Sequence, residues 1–138
     1  MSAAGKRRVL VLDDDVDFCD LMAMLLESTA DIECLGVHRF AELCARAPDV
    51  LGCELAILDV NLGPGEPSGL DALAWLQAHG FMGAIVFLTG HARWHPFLRQ
   101  QAESSGVRVL EKPVDAVTLL SLLSPSSNAP STKSGDAR

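Results

Sequence analysis

The chain has 138 residues, of which 49% are hydrophobic and 21% charged. It therefore has the length and apolar content of one domain that folds without disulfide or metal support. Its 18 acidic and 11 basic residues give a formal charge of −7, which argues against direct nucleic-acid binding, because phosphate backbones attract clustered Lys and Arg.

Short apolar runs alternate along the chain with segments whose apolar residues recur at helical spacing. The run from Val9 to Leu12 is apolar throughout, which is typical of a strand covered on both faces of a parallel sheet. In chain order, the pattern predicts a strand at 9–12, a helix at 16–29, a strand at 32–37, a helix at 40–47 ended by Pro48, a strand at 55–58, a helix from Leu70 to Gly80, a strand at 84–88, a helix at 96–104, a strand at 107–110 and a helix at 114–123.

Five βα units in succession predict an α/β fold with one parallel sheet and helices on both faces. These units fall within residues 1–123, which we expect to form the single domain. Residues 124–138 contain no Leu, Ile, Val or aromatic residue and are rich in Ser and Pro. Because such a segment cannot contribute to a core, we expect it to be a disordered tail or linker.

The cysteines give no sign of a disulfide framework or a zinc site. Cys19, Cys34, Cys44 and Cys53 form no CxxC pair and have no His at a structural-zinc spacing. We expect reduced and mostly buried thiols. No apolar segment reaches the length of a membrane span or of a secretory signal, so we expect a cytoplasmic protein.

Chemically distinctive residues follow four of the five predicted strands. Residues 13–15 are three consecutive Asp after the first strand, Asp59 follows the third, Thr89 the fourth, and Lys112 comes shortly after the fifth. The carboxyl ends of parallel strands meet at one edge, where ligands bind. Carboxylates gathered there repel one another, which raises a pKa or requires a cation, and oxygen ligands favour Mg²⁺. An ammonium and a hydroxyl beside them could receive a phosphoryl group, with an Asp as nucleophile.

Four motifs in order, VLVLDDD, ELAILDVN, IVFLTG and VLEKPV, resemble the pattern of the response-regulator receiver domain of two-component signalling. The resemblance covers roughly residues 8–123. It implies a flavodoxin-like, doubly wound (βα)5 fold whose five-stranded parallel sheet has the order 2-1-3-4-5. It also implies a phosphoacceptor without turnover of an external substrate, apart from hydrolysis of its own acyl phosphate.

The resemblance assigns roles to the residues at the strand ends. Asp59 would be the phosphorylated residue, while Thr89 would bind a phosphoryl oxygen and Lys112 would pair with it. The donor would be a phosphohistidine on a histidine kinase or a histidine phosphotransfer protein. No direct nucleic-acid or membrane partner is implied.

The same resemblance implies a site for Mg²⁺ or Mn²⁺. Asp14 and Asp59 would bind the ion directly, Asn61 through its backbone carbonyl and Asp13 through water. The triple Asp leaves a second register open, in which Asp14 and Asp15 form the working pair. Asp15 is otherwise expected at the start of the first helix, where an acid is favourable to the helix dipole.

The expected output is phosphorylation-dependent docking. In this family the usual docking or dimerisation face is formed by the elements at 96–104, 107–110 and 114–123, and the downstream partner is not indicated. Since about 123 residues fill one receiver, we expect a single-domain protein that acts through another protein. A receiver that is one piece of a longer regulator or of a hybrid kinase would show the same sequence features.

Two departures from the family pattern concern the pocket and its switch. The segment from Asp59 to Gly69 is about two residues longer than typical. Val109 stands where receivers usually have an aromatic residue, so we hypothesise that switching depends more on the loop at 89–94, near Trp94. Two other functions stay open, namely a docking module that is not phosphorylated and a small phosphohydrolase with an Asp nucleophile.

Overall fold

The structure is a computed structural model that describes residues 7–28, 31–60, 62, 67–89, 100–101, 104–112, 117–118 and 121. Within these residues the chain forms, in order, β1 (Arg7–Leu12), α1 (Val16–Glu27), β2 (Ile32–Val37), α2 (Phe40–Ala45), α3 (Ala47–Leu51), β3 (Leu55–Asp59), α4 (Gly69–Ala78), β4 (Ala84–Thr89) and β5 (Arg108–Glu111). None of the helices described has the length and hydrophobicity of a membrane-spanning segment.

The five strands form one sheet in the order β2-β1-β3-β4-β5, and every neighbouring pair is parallel. This confirms the fold class and strand order that were expected from the sequence. The chain crosses from β1 to β2 on one side of β1 and later returns to place β3 on the other side. The strand order therefore reverses between β1 and β3, and such a reversal leaves a crevice at the carboxyl ends of the two strands.

Alternate residues of β1 face two separate core clusters. Val9 and Val11 pack in the cluster that contains the buried residues of α1, which we call the α1-side cluster. Leu10 and Leu12 pack in a second cluster that contains residues of α2, α3 and α4, which we call the α4-side cluster. All four β1 side chains are inaccessible to solvent. Helices therefore cover both faces of the sheet, as predicted from the uninterrupted apolar strands.

One predicted boundary was wrong. The segment predicted as a single helix ended by Pro48 is two short helices, with a break at Arg46, and Pro48 lies in the first turn of the second. Proline is well suited to that turn, because its missing N–H has no partner within the helix and its φ is already helical. The same residue type can therefore begin a helix as well as end one.

The second half of the chain is described in part. Gln100, Gln101 and Ser104 are helical, within the helix predicted at 96–104. Val117, Thr118 and Ser121 are helical within the helix predicted at 114–123. The remaining residues of both helices, and the predicted tail at 124–138, lie outside the described residues.

The four cysteines are free thiols, of which Cys19 and Cys53 are buried and Cys34 and Cys44 partly buried. Burial is the largest cause that raises the pKa of Cys19 and Cys34 to about 12 and that of Cys53 to about 11. Burial also raises the pKa of Cys44. The thiolate is the reactive form of cysteine, and a raised pKa keeps these thiols protonated. We therefore assign these cysteines to core packing and not to a chemical role.

We expect the native thiols to react slowly with iodoacetamide at pH 8 and rapidly once urea unfolds the chain. The unfolded thiols ionise near their ordinary value of 9.0, whereas Cys19, Cys34 and Cys53 of the folded protein have pKa values of about 11 to 12. The free energy of unfolding should therefore fall as pH rises through that window. Urea titrations between pH 8 and 11 measure the decline, which should be smaller in Cys34→Val. Rapid labelling of the folded protein would contradict this prediction.

Gly69 allows the start of α4 to pack directly against the end of β3. The helix is fixed by a capping box, in which the Ser68 hydroxyl accepts from the N–H of Leu70 and the Asp71 carboxylate accepts from the N–H of Ser68. The N–H of Gly69 donates to the carbonyl of Val60 at 2.9 Å. This places the first residue of α4 on the backbone of Asp59.

We expect Gly69→Ala to lower the free energy of unfolding by about 1–3 kcal/mol, the usual cost of overpacking. A Cβ at this position would meet the carbonyl oxygen of Asp59 and lie 3.0 Å from its carbonyl carbon. Gly36→Ala is the matched control, since its Cβ would have an ordinary contact of 3.6 Å with the Cβ of Cys19. Urea denaturation compares the two variants, and equal midpoints would contradict the prediction.

Candidate functional site

The sheet brings three carboxylates together at its carboxyl edge. Asp13 follows β1 directly, Asp59 is the last residue of β3, and the two strands are paired with Leu12 opposite Leu58. One carboxylate oxygen from each of Asp13, Asp14 and Asp59 lies within 4.8 Å of the others. Asp13 and Asp59 are buried, whereas Asp14 is exposed. The cluster therefore has two carboxylates within the protein and one at the surface.

Asp13 is held in place by four groups from different parts of the chain. Its N–H donates to the carbonyl of Val37 at 3.1 Å, and its Oδ1 accepts from the N–H of Asp15 at 2.9 Å. Its Oδ2 accepts from the Nζ of Lys112 at 2.6 Å. The Cys19 thiol lies 3.4 Å from its carbonyl oxygen. A buried carboxylate with both oxygens in use has a fixed orientation.

Lys112 brings a positive charge into the carboxylate cluster from the end of β5, the last strand in the sheet order. It follows β5, which pairs with β4, and its Nζ lies 3.6 Å from the Oδ2 of Asp59. Burial alone would lower the pKa of the ammonium, but the hydrogen bond to Asp13 and the charges of Asp59 and Asp13 outweigh burial and raise it. Lys112 is therefore fully protonated at neutral pH.

The carboxylate cluster has the donor chemistry of a divalent-cation site. Three carboxylates and one ammonium leave two net negative charges in a small volume. Partial desolvation and the charge of Asp13 raise the pKa of Asp14, which shows that the carboxylates oppose one another. Clustered oxygen ligands without nitrogen or sulfur suit a hard cation such as Mg²⁺.

Asp15 and Asp17 belong to α1 and not to the carboxylate cluster. Asp15 is the N-cap residue, and its Oδ1 accepts from the N–H of Phe18 at 3.1 Å. Asp17 is exposed in the first turn of the helix. Acids in these positions stabilise a helix start by capping and by their interaction with the dipole. The carboxylate that lies beside Asp13 in the cluster is that of Asp14.

Some of the expected site residues are described only in part. The backbone of Thr89 ends β4 opposite Glu111, at the same edge of the sheet. The side chain of Thr89, the whole of Asn61 and the loop at 90–99 lie outside the described residues. Val109 is partly buried and packs against the α4-side cluster.

Phe18 is a neighbour of the site that sequence reasoning missed. The Nζ of Lys112 lies 4.4 Å from the centroid of its ring. In the sequence, Phe18 is one of several apolar residues at helical spacing and indicates only a buried helix face. Its contact with a lysine from the other end of the chain depends on the folded sheet, and no local signal indicates it.

We expect Asp14→Asn to raise the free energy of unfolding in EDTA by less than about 1 kcal/mol, because it removes repulsion at an exposed position. The folded state raises the pKa of Asp14 above its ordinary value of 3.8, so the ionised group opposes folding once pH exceeds that value. Added MgCl₂ should stabilise the wild type much more than this variant. Urea denaturation measures both effects, with Asp17→Asn as control. Equal responses of the three proteins to MgCl₂ would contradict a cation site.

Comparisons with known proteins agree on one family. The family model of the response regulator receiver domain matches residues 9–124. No curated protein matches the chain significantly. The structure is similar to that of a receiver-domain protein, described as CheY-like, from Methanospirillum hungatei, with a TM-score of 0.70 and 23% identity over 86% of this chain and 90% of the other.

Two further solved structures are more similar in sequence. The signal receiver domain of a modulated diguanylate cyclase from Desulfovibrio desulfuricans has a TM-score of 0.70 and 28% identity over 86% of this chain and 90% of the other. A response regulator protein from Burkholderia pseudomallei has a TM-score of 0.68 and 25% identity over 89% of this chain and 69% of the other. The Burkholderia structure contains a phosphorylated aspartic acid, a calcium ion and citrate.

Proposed function

The chain belongs to the response regulator receiver domain family, and on that premise we propose that Asp59 accepts a phosphoryl group from a phosphohistidine. The donor is a histidine kinase or a histidine phosphotransfer protein. Asp14, Asp59 and the backbone carbonyl of Asn61 bind Mg²⁺ or Mn²⁺ directly, and Asp13 binds it through water. The phosphorylated domain then signals by docking onto a partner protein.

The observation that carries this proposal is the position of Asp59. Its side chain is 7% exposed, shares the carboxylate cluster with Asp13 and Asp14, and lies 3.6 Å from the ammonium of Lys112. A carboxylate that lies beside a cation is suited to act as a nucleophile. The phosphorylated aspartic acid and calcium ion in the Burkholderia response regulator support the same chemistry here.

In the proposed reaction an oxygen of Asp59 forms a bond to phosphorus as the bond from phosphorus to the donor imidazole breaks. The imidazole leaves with the electron pair of that bond, and the product on the protein is an acyl phosphate. Because its ammonium already lies close to Asp59, Lys112 donates a hydrogen bond to one phosphoryl oxygen. The Thr89 hydroxyl donates to another. A bound Mg²⁺ would neutralise charge that develops on the phosphoryl oxygens.

The signal ends when water hydrolyses the acyl phosphate and regenerates the Asp59 carboxylate. Before that, the partner docks on the face formed by the elements at 96–104, 107–110 and 114–123, where a second copy of the chain is the alternative partner. We assign the receiver to residues 1–123 and treat 124–138 as a tail or linker. Because Val109 has no ring to reorient, we propose that switching depends on the loop at 89–94.

Acetyl phosphate is a small-molecule phosphoryl donor that can take the place of the phosphohistidine. With Mg²⁺ present, we expect it to add the mass of one phosphoryl group to the wild-type protein. Asp59→Asn should show no addition, and EDTA should abolish the addition to the wild type. Intact-mass spectrometry measures the products. Addition to Asp59→Asn would place the phosphoryl group on another residue.

Asp17→Asn is the matched control, since it removes one exposed carboxylate of α1 outside the cluster, and it should be phosphorylated like the wild type. A folded wild-type protein that stays unmodified would contradict the phosphoacceptor function and favour a docking module. Continuous release of phosphate from an added phosphomonoester would instead indicate a phosphohydrolase.

A further inference from the structure

Among the residues that the structure describes, the Lys112 ammonium lies beside two carboxylates and one aromatic ring. Its Nζ lies 2.6 Å from the Oδ2 of Asp13 and 3.6 Å from the Oδ2 of Asp59. It also lies 4.4 Å from the centroid of the Phe18 ring. A cation within about 6 Å of a ring centroid is attracted by the negative face of the ring. The ring and the carboxylates therefore attract the same charge.

The Phe18 ring is fixed from two directions. Its side chain is partly buried and packs against the α1-side cluster beneath it. Its backbone N–H donates to Asp15, whose own N–H donates to Asp13. Two hydrogen bonds from backbone N–H groups to Asp side chains thus tie Phe18 to the segment that supplies two of the clustered carboxylates. The backbone of Phe18 is therefore held near that cluster, and its side chain packs in the adjoining core.

Phosphorylation would alter both carboxylate neighbours of Lys112 and leave the ring unchanged. Asp59 becomes an acyl phosphate, and Asp13 interacts with the bound cation through water. The flexible side chain of Lys112 would therefore exchange its ion-pair partners during phosphoryl transfer. Phe18 is the neighbour whose attraction for the ammonium does not depend on the charge state of the site.

We propose that Phe18 is a positioning residue, whose ring face holds the ammonium of Lys112 beside Asp59 before and during phosphoryl transfer. This inference rests on the proposed function of the same site. A leucine in place of Phe18 would still cover the α1-side cluster, but it has no π face to attract a cation. A tyrosine would retain that face. The two substitutions therefore separate the electrostatic role of the ring from its packing.

The first test observes the contact without phosphorylation. The sequence contains three lysines, Lys6, Lys112 and Lys133, so the signals of ¹³C-labelled lysine are few and Lys112→Met identifies one of them. We expect the ring current of Phe18 to shift the ε-methylene protons of Lys112 upfield in the wild type. The shift should disappear in Phe18→Leu and persist in Phe18→Tyr.

Phe40→Leu is the matched control for the loss of a phenyl ring, because Phe40 is partly buried against the α4-side cluster. It should retain the upfield shift of Lys112. Urea denaturation of both leucine variants shows how much stability each loses. An unshifted Lys112 signal in the wild type, or a shift that survives in Phe18→Leu, would overturn the inference.

The second test measures the consequence for the site. In Phe18→Leu we expect the affinity for beryllofluoride with Mg²⁺, and the rate of phosphorylation by acetyl phosphate, to fall about two- to fivefold, the effect of one exposed cation–π contact. Phe18→Tyr should restore both, and Phe40→Leu should match the wild type. Equal values in Phe18→Leu and Phe40→Leu would contradict this inference alone. A wild type that binds neither reagent would contradict the proposed function as well.

Discussion

The carboxyl edge of the sheet depends on the ion pair between Lys112 and Asp13. The two residues are 99 positions apart in the sequence, and their side-chain atoms are 2.6 Å apart. Asp13 follows β1 and Lys112 follows β5, with β3 and β4 between those strands in the sheet. Removing the ammonium would leave the buried charge of Asp13 without this opposite charge, which costs far more than the net stability of such a pair. The pair therefore connects the ends of β1 and β5 at this edge of the sheet.

The topology explains why the acids meet where they do. β1 and β3 are the central neighbours at which the strand order reverses, and their chain continues in connections that diverge to opposite sides of the sheet. A reversal of this kind leaves a crevice beyond the two strand ends, in which polar groups can be buried and still reach a ligand. Asp13 and Asp59 lie there because each directly follows an uninterrupted run of buried apolar residues. The sheet supplies the rigid support, and the strand ends supply the chemistry.

The sheet and its acidic edge could be predicted because short, local sequence patterns indicate both of them. An apolar run that stops at Asp13 or Asp59 identifies a buried strand and its carboxyl end together. The helix boundary at Pro48 was predicted wrongly, because a proline fits the first turn of one helix as well as the end of another. The contact between Phe18 and Lys112 has no local pattern, since it joins residues that only the folded sheet brings together. The functional roles of all the site residues stay predictions, namely Asp13, Asp14, Asp59, Asn61, Thr89 and Lys112.

The charge balance of the site links its two proposed ligands. One ammonium cannot neutralise three carboxylates, so the cluster repels a phosphoryl group until a cation joins it. Once a phosphoryl group is bound to Asp59, its oxygens compete with Asp13 for the ammonium, which requires only a short movement because Asp59 is already 3.6 Å away. Lys112 follows β5 directly, so a change of its partner would act at the end of that strand. Val109 has no aromatic ring that could reorient. The proposed switch would therefore reach a docking partner through the end of β5 and through the loop at 89–94.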